Sequence, residues 1–395
     1  MSETGRMVVF LAVALSIWTA LHLYVFWRLA KAPLVADHLL RGWLLAIAAL
    51  LWLTYPLAQT LNRQGLEALG YPLELVGAVW MGTLFLAFLA VLLVDLANVT
   101  LLAANTLLEG IGLAVPALGR SAPLGAVAVA VLLSAIGVVQ AARGPVVVHH
   151  QVTLAGLPQE RDGTVVTAVS DLHLGSLLGR RWLERRITQV EAQRPDLVAV
   201  VGDLVDGNAK RVERLLPELR RLRAPLGVWA VTGNHEYYAG LDASVRLMEE
   251  AGFSVLRDGW TEVAPGLIVA GVDDFTARKQ FTPPGTPAMP FLAGRLDAAL
   301  ADRPAAATLL LSHTPWLAER AAAAGVALML SGHTHDGQIW PFGYLVTFVY
   351  PYLGGAYEVG GMRLIVCRGT GTWGPPVRLW RRSEILVVTL RSATG

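Results

Sequence analysis

Four long apolar stretches within the first 143 residues decide what the front of this chain can become. Met7–Leu29 is free of Lys, Arg, Asp and Glu up to Arg28, and Gly42–Leu61, Leu73–Val94 and Ala122–Ala142 follow. Each is about 20 residues, the length an α-helix needs to cross a hydrocarbon core of about 30 Å. No water is available there to pair with backbone N–H and C=O groups, so stretches of this length form helices. A secretory signal would show a shorter apolar core and a small-residue cleavage site. Trp18, Trp27, Trp43, Trp52, Tyr55, Tyr71 and Trp80 decorate the stretches, several near their ends, as interfacial aromatics do.

Charge sharpens the division. Met1 to Arg143 holds seven Lys/Arg and six Asp/Glu, and the other 25 and 24 lie beyond it. The mean hydropathy of +0.51 therefore comes from a membrane part, and the rest has ordinary globular density. We expect a transmembrane helical domain over residues 1–145 and a catalytic domain over 146–395. Between the third and fourth stretches, Asp95, Asn98, Asn105 and Glu109 interrupt an apolar run. The run either extends the third helix out of the membrane or lies along its surface. Arg28, Lys31, Arg41 and Arg120 outnumber Arg6, Arg63 and Arg143 on the opposite side. By the positive-inside rule this multi-pass cell-membrane protein carries its catalytic domain outside the cytoplasm. A net charge of +2 without a basic run argues against a nucleic-acid partner, and a single Cys367 excludes an internal disulfide or a CxxC motif.

After Arg143-Gly144-Pro145 the pattern changes. Val146–Leu154 reads as a strand, and helical stretches at Arg181–Gln193, Val212–Leu222 and Ala243–Ala251 alternate with short apolar runs. Five of those runs, Val165–Ser170, Leu197–Val201, Leu226–Val231, Ala307–Ser312 and Val326–Ser331, lead into polar segments. The segments are Asp171-Leu172-His173, Gly202-Asp203-Leu204-Val205-Asp206, Gly233-Asn234-His235-Glu236, His313 and Gly332-His333-Thr334-His335. Open α/β sheets deliver ligands to one edge by a strand followed by a tight turn. Five of the chain's nine histidines fall in this set, which points to a metal site.

A pair of divalent cations needs a shared anion, several nitrogen and oxygen ligands, and open positions for water and substrate. Asp171 and His173, two apart after a strand, can both face the edge. Asp203 suits a bridging carboxylate, and Asn234 supplies a neutral oxygen. His313, His333 and His335 complete a mixed shell suited to manganese first, and to iron, zinc or nickel, rather than magnesium alone. With Asn234 the better ligand, His235 is left to face substrate as a general acid, and Asp206 can hold its imidazolium and fix its tautomer. The glycines at 202, 233 and 332 are expected to allow sharp turns. Glu236 is read as structural, and Arg278, Lys279 and Arg295 as solvated surface cations, with contact to substrate phosphates as the alternative.

The blocks D-x-H, G-D-x-x-D, G-N-H-E, a lone His and G-H-x-H, in that order over Asp171–His335, resemble the calcineurin-like metallophosphoesterase superfamily. The G-H-T-H-x-G-Q run and the closing Gly369–Arg378 segment resemble its bacterial YkuE/YaeI-like branch. The resemblance implies an α/β fold: a two-sheet β-sandwich flanked by helices, here preceded by an all-α bundle of about four transmembrane helices. It also implies one metal on Asp171, His173, Asp203 and His335, a second on Asp203, Asn234, His313 and His333, and a catalytic dyad of His235 and Asp206. Where that branch usually has Gly after the second His, this chain has Asp336, a carboxylate placed to alter metal preference or tolerance of substrate charge.

Ile339–Tyr357 is rich in aromatics directly after His335. Two readings stand: a hairpin packed on its own core or on the membrane helices, or an apolar wall, with Trp340 and Phe342, that touches a substrate acyl chain or the bilayer surface. Four helices exceed what an anchor requires. The expected substrate is therefore a phosphoester or pyrophosphate on a membrane lipid, such as a phospholipid or a UDP-diacylglucosamine-like molecule. The alternatives are a soluble phosphoester, or a transport or signalling bundle with a regulatory phosphoesterase domain. Few polar residues face each other within the spans, which counts against transport.

Overall fold

The computed structural model describes residues 3–35, 38–108, 114–280 and 287–393. Glu109, one of the four polar residues after the third span, lies outside them. The chain divides into two compact units, 1–139 with 374–379, and 140–373 with 380–395. The first unit contains α1 (Glu3–Ala30), α2 (His38–Arg63), α3 (Glu67–Leu108) and most of α4 (Ala122–Ala142), all four long and apolar enough to cross a membrane. The run after Val94 continues α3 through Leu108 without a break. At 1.5 Å per residue its 42 residues measure about 63 Å, twice a bilayer core.

Side chains within the spans pair more than the sequence suggests. Trp80 Nε1 donates to His22 Nε2 at 2.8 Å between α1 and α3, and Thr83 and Ser134 hydroxyls lie 2.6 Å apart between α3 and α4. Glu74 on α3 accepts from Asn62 and Gln59 on α2 at 2.6 and 3.3 Å. Asp95 pairs with Arg28 and accepts from Tyr24 at 2.6 Å, so it is engaged with α1 rather than left in a loop. The few-polar-contacts expectation is thus corrected: such pairs join α1 to α3, α2 to α3 and α3 to α4. The segment 374–379 belongs to this unit, and Arg378 N donates to Gly137 O at 3.0 Å.

The second unit holds two six-stranded sheets. The first has β1 (Val146–Leu154), β2 (Val165–Val169), β3 (Leu197–Val201), β4 (Val228–Val231), β5 (Ser254–Val255) and β12 (Glu384–Ser392) in the order β1-β12-β2-β3-β4-β5. The second has β6 (Gly259–Ala264), β7 (Leu267–Gly271), β8 (Ala307–Leu311), β9 (Leu328–Ser331), β10 (Gly355–Val359) and β11 (Met362–Val366) in the order β10-β11-β9-β8-β7-β6. β2, β3 and β4 run parallel, as do β7, β8, β9 and β11, so their carboxyl ends gather along shared edges. β12 inserts between β1 (parallel) and β2 (antiparallel) and closes the first sheet with the end of the chain.

Alternation explains the layers. Leu197, Ala199 and Val201 of β3 face Leu309 and Leu311 of β8 and Leu328 and Leu330 of β9 in a core between the sheets. Val198 and Val200 point the other way, onto Leu183, Ile187 and Val190 of α5 (Arg180–Glu191) and onto Leu247 and Met248 of the helix Leu241–Glu250. Ala270, Leu310 and Met329 on the far face of the second sheet receive the helices Ala288–Leu300 and Ala318–Ala323. The five strands expected to deliver ligands are β2, β3, β4, β8 and β9, and two mixed sheets flanked by helices follow four apolar helices as expected. The aromatic run after His335 forms a short helix, Gly343–Val346, and the hairpin comes later, between β10 and β11.

A close approach in the helical unit gives the first prediction. A Cβ at Gly77 would press on the Tyr55 backbone nitrogen at 2.9 Å, so α2 and α3 meet through that glycine. Gly77→Val should overpack the contact at a cost of about 1–3 kcal/mol. Thermal unfolding of detergent-solubilised protein should show a lower midpoint than wild type, whereas Gly125→Val, with nothing within 4 Å, should not.

Candidate metal centre

Seven of the predicted site residues leave the carboxyl ends of five strands and converge. Asp171 and His173 follow β2, Asp203 follows β3, and Asn234 opens a short helix after β4. His313 follows β8, and His333 and His335 follow β9. His173 Nε2 and His335 Nε2 are 3.1 Å apart, and His335 Nε2 is 3.3 Å from Asp171 Oδ1. His333 Nδ1 lies 3.3 Å from His313 Nε2. Asp203 Oδ2 sits between the two groups, 3.7 Å from His173 Nε2 and 3.2 Å from His313 Nε2.

The backbone pays for this convergence. Asp171, His173, Asp203, His333 and His335 all have φ between 45° and 69°. Left-handed backbone costs an L-residue about 1–2 kcal/mol. Only Gly202 (φ 76°) supplies a positive φ among the three glycines expected to turn the chain. Gly233 and Gly332 are needed for space: a Cβ would strike the Asp203 carboxylate at the first and Ser170 Oγ at the second. Glu236 acts as the structural clamp expected of it. Its buried carboxylate accepts from the backbone N–H groups of Asp203 (3.0 Å), Val205 (3.0 Å) and Gly233 (2.6 Å), locking the β3 and β4 loops together.

These residues suit a pair of divalent cations. Two buried imidazole nitrogens facing each other at 3.1 Å are a donor-acceptor pair at best, and Asn234 Oδ1 is buried without a partner among the described residues. Burial lowers the pKa of His173 and of His333 to about 3, leaving neutral rings that offer lone pairs. Burial works against ionising Asp171 and Asp203, but the imidazoles of His335 and His313 outweigh it and both carboxyls stay below their usual range. His313 fixes its ring by a 2.8 Å contact from Nδ1 to Val201 O, which aims Nε2 at Asp203.

His235, expected to face substrate, lies beside the cluster, with a ring nitrogen within 4.8 Å of ligand atoms of His173 and Asp203. Its Nδ1 is 3.0 Å from Asp206 Oδ1, and its backbone N–H donates to Asp203 Oδ1 at 2.9 Å. Burial alone would depress its pKa, but Asp203 and Asp206 overcome that and raise it to about 9. The rings of His173, Tyr238 and Trp373 surround it at 4.6, 5.5 and 6.1 Å. Trp340 and Phe342 lie five and seven residues beyond His335, 49% and 41% exposed.

Several residues escaped the sequence reading. Tyr350 hydroxyl lies 2.6 Å from His333 Nε2, while its ring stacks on Trp316 at 5.4 Å. Buried Asp274 follows β7 by the same strand-and-turn pattern as the ligands, a signal that could have flagged it. Its Oδ1 accepts from Ala277 N at 2.6 Å, Oδ2 has no hydrogen-bond partner among the described residues, and burial pushes its pKa to about 7. Arg278 and Arg295 are not free surface cations, since Arg278 pairs with Asp258 and Asp273, and Arg295 with Asp258. Asp336 is turned to Arg368 and Arg381, at 3.3 and 3.1 Å, in a left-handed conformation that would suit glycine.

Residues 164–337 match the family model for calcineurin-like phosphoesterases. An uncharacterized metallophosphoesterase of Aquifex aeolicus is 35% identical over 237 residues, 60% of this chain and 87% of that protein. The uncharacterized metallophosphoesterase YkuE of Bacillus subtilis is 32% identical over 256 residues, 62% of this chain and 85% of its own. A transmembrane protein with metallophosphoesterase domain from Danio rerio is 32% identical over 278 residues, 68% of this chain and 62% of that one. The chain spans a little under two thirds of the length of the vertebrate relatives it matches.

Two predictions separate site from scaffold. Tyr350→Phe keeps the ring but frees His333 Nε2, and loss of such an outer partner should weaken metal affinity about 10–100-fold, read by titration of the metal-free protein. Asp336→Gly should relieve strained backbone but remove one ion partner from Arg368, which keeps Glu384, and one from Arg381, lowering the thermal midpoint and leaving metal stoichiometry unchanged. A change in bound metal would return Asp336 to the site.

Proposed function

The chain belongs to the calcineurin-like phosphoesterase family, and from that premise we propose a membrane-resident hydrolase that cleaves a phosphoester or pyrophosphate on a lipid or lipid-linked molecule. It is a metal-dependent phosphohydrolase by family. The division into a membrane domain before about residue 145 and a catalytic domain after it, and a catalytic domain outside the cytoplasm, are parts of the same proposal.

In this reading Asp171, His173, Asp203 and His335 would hold one divalent cation, and Asp203, Asn234, His313 and His333 the second, manganese being the first choice. When bound, such a pair lowers the pKa of a water and offsets charge on a phosphoryl group. The chain's own part is to orient and to move a proton. Asp206 holds His235 through Nδ1, which leaves Nε2 to donate a proton to the leaving oxygen. The observation that carries the reading is Asp203 Oδ2, poised between His173 and His313.

Support for a lipid substrate comes from the apolar rim. Tyr238 and Trp373 lie against His235 and remain 53% and 54% exposed, and Trp340, Phe342, Tyr344 and Phe348 extend exposed aromatic surface beyond. A soluble ester would not need that surface. Purified full-length protein with manganese should turn over short-chain lipid phosphates faster than bis-p-nitrophenyl phosphate. Asp203→Ala and His235→Ala should abolish or lower both by about 10²-fold or more. Trp340→Ser with Phe342→Ser, and separately Trp373→Ser, should reduce lipid turnover while sparing the generic ester. Equal losses on both substrates would remove the lipid reading and keep the hydrolase.

A further inference from the structure

Helix α5 turns Leu183, Ile187 and Val190 inward at amphipathic spacing, and Arg186 sits on the same buried face. A leucine would continue that face. Arg186 is instead 9% exposed, and its Nε and Nη1 are buried with no hydrogen-bond partner among the described residues. Its guanidinium lies by the Trp182 ring, 5.4 Å from the centroid, and over Gly144, where a Cβ would collide with Nη1. The neighbouring charge acting on it is Arg185, of the same sign.

The same turn gathers further unpaired polar atoms. Arg382 Nη2 donates to Gly144 O at 2.9 Å, while Arg382 Nε is buried without a partner among the described residues. Gln189 Nε2 reaches Pro145 O at 3.4 Å, while Gln189 Oε1 is buried without a partner among the described residues. All of these residues belong to the second unit. A guanidinium with an aromatic ring beside it but no hydrogen-bond acceptor is still costly to bury, because the ring does not replace the hydration it forfeits. Its planar fork is made for a phosphate, which accepts two parallel N–H bonds.

The geometry points to a phosphate-binding site, formed by Arg186 and Arg382 beside Trp182 and Gln189, for the headgroup of an anionic phospholipid. The choice of a lipid over free phosphate rests on chain order. α4 is 21 residues without a charged side chain and ends at Ala142, two residues before Gly144. A helix of that length leaves the hydrocarbon where headgroups begin, the level at which Trp and Arg side chains concentrate. The inference needs α4 to lie in a membrane but does not need the metal centre.

Full-length protein would be placed in nanodiscs of phosphatidylcholine alone or doped with phosphatidylglycerol, and bound lipid measured by native mass spectrometry. Wild type should retain phosphatidylglycerol about ten-fold more strongly than Arg186→Gln, a typical loss for a charge-assisted contact. Arg382→Gln should fall between them, and Arg246→Gln, an exposed arginine on the helix Leu241–Glu250, should match wild type. Should Arg186→Gln not fold, the wild-type preference and the Arg382→Gln loss still decide. Inorganic phosphate added to phosphatidylcholine nanodiscs tests the other source. A rise in unfolding temperature with phosphate, without a lipid preference, overturns the lipid assignment. No preference and no phosphate response overturn the site itself. Lipid retention is read without catalysis, so failure here stays distinct from failure of the hydrolase reading.

Discussion

Buried negative charge at one sheet edge is the constraint around which this unit is built. Asp171 and Asp203 are 0% and 2% exposed, and His173, His313, His333 and His335 crowd against them. Such a cluster is tolerable only if every charge has a counter-charge and every lone pair a partner. Protein groups meet part of that demand, through Ser170 Oγ on Asp171 and the His235 N–H on Asp203. The buried Asn234 Oδ1 and the facing imidazole nitrogens are the part left for cations.

Holding the cluster requires strain and therefore bracing. Five residues with left-handed backbone are stable only where the surroundings over-determine them. Parallel strands on both sides of each loop fix the starting points, and the sheet core between β3, β8 and β9 leaves those strands no freedom to shift. Glu236 then ties the β3 loop to the β4 loop through three backbone N–H groups. Its carboxylate is completely buried, and burial raises its pKa, so the clamp depends on those three donors being in place. Replacing a site loop therefore disturbs its neighbours before it disturbs the chemistry.

Legibility followed the range over which each signal acts. The ligand-bearing turns were readable because strand, turn and ligand lie within a few consecutive residues. The helices were readable because a membrane demands long apolar runs. Partners that meet across many residues left no such trace. Tyr350 reaches His333 from 17 residues away, and Trp373 is joined to Gln338 across 35. Asp336 looked like a change in the site because its partners, Arg368 and Arg381, sit on later loops. The glycines were read as turn residues, whereas at 233 and 332 the closeness of Asp203 and Ser170 is what forbids a side chain. Crowding of that kind belongs to the folded site and has no local pattern.

The helical unit obeys a different rule. Between helices in lipid the hydrophobic effect gives no preference for a neighbour over a lipid tail, so close packing and polar pairs must choose the register. Gly70 and Gly77 let α3 approach α2 at Asn62 and Tyr55, and Glu74, between them in sequence, takes hydrogen bonds from Asn62 and Gln59 on α2. His22 and Trp80 set α1 against α3, and Thr83 with Ser134 sets α3 against α4. Asp95 is met by Arg28 and Tyr24, so its charge is balanced within the bundle. These groups pair across the helices, while Asn62 Oδ1 and Arg28 Nε are buried without a hydrogen-bond partner among the described residues. The pairs thus choose which helix faces meet, a choice that apolar packing against lipid tails would not make.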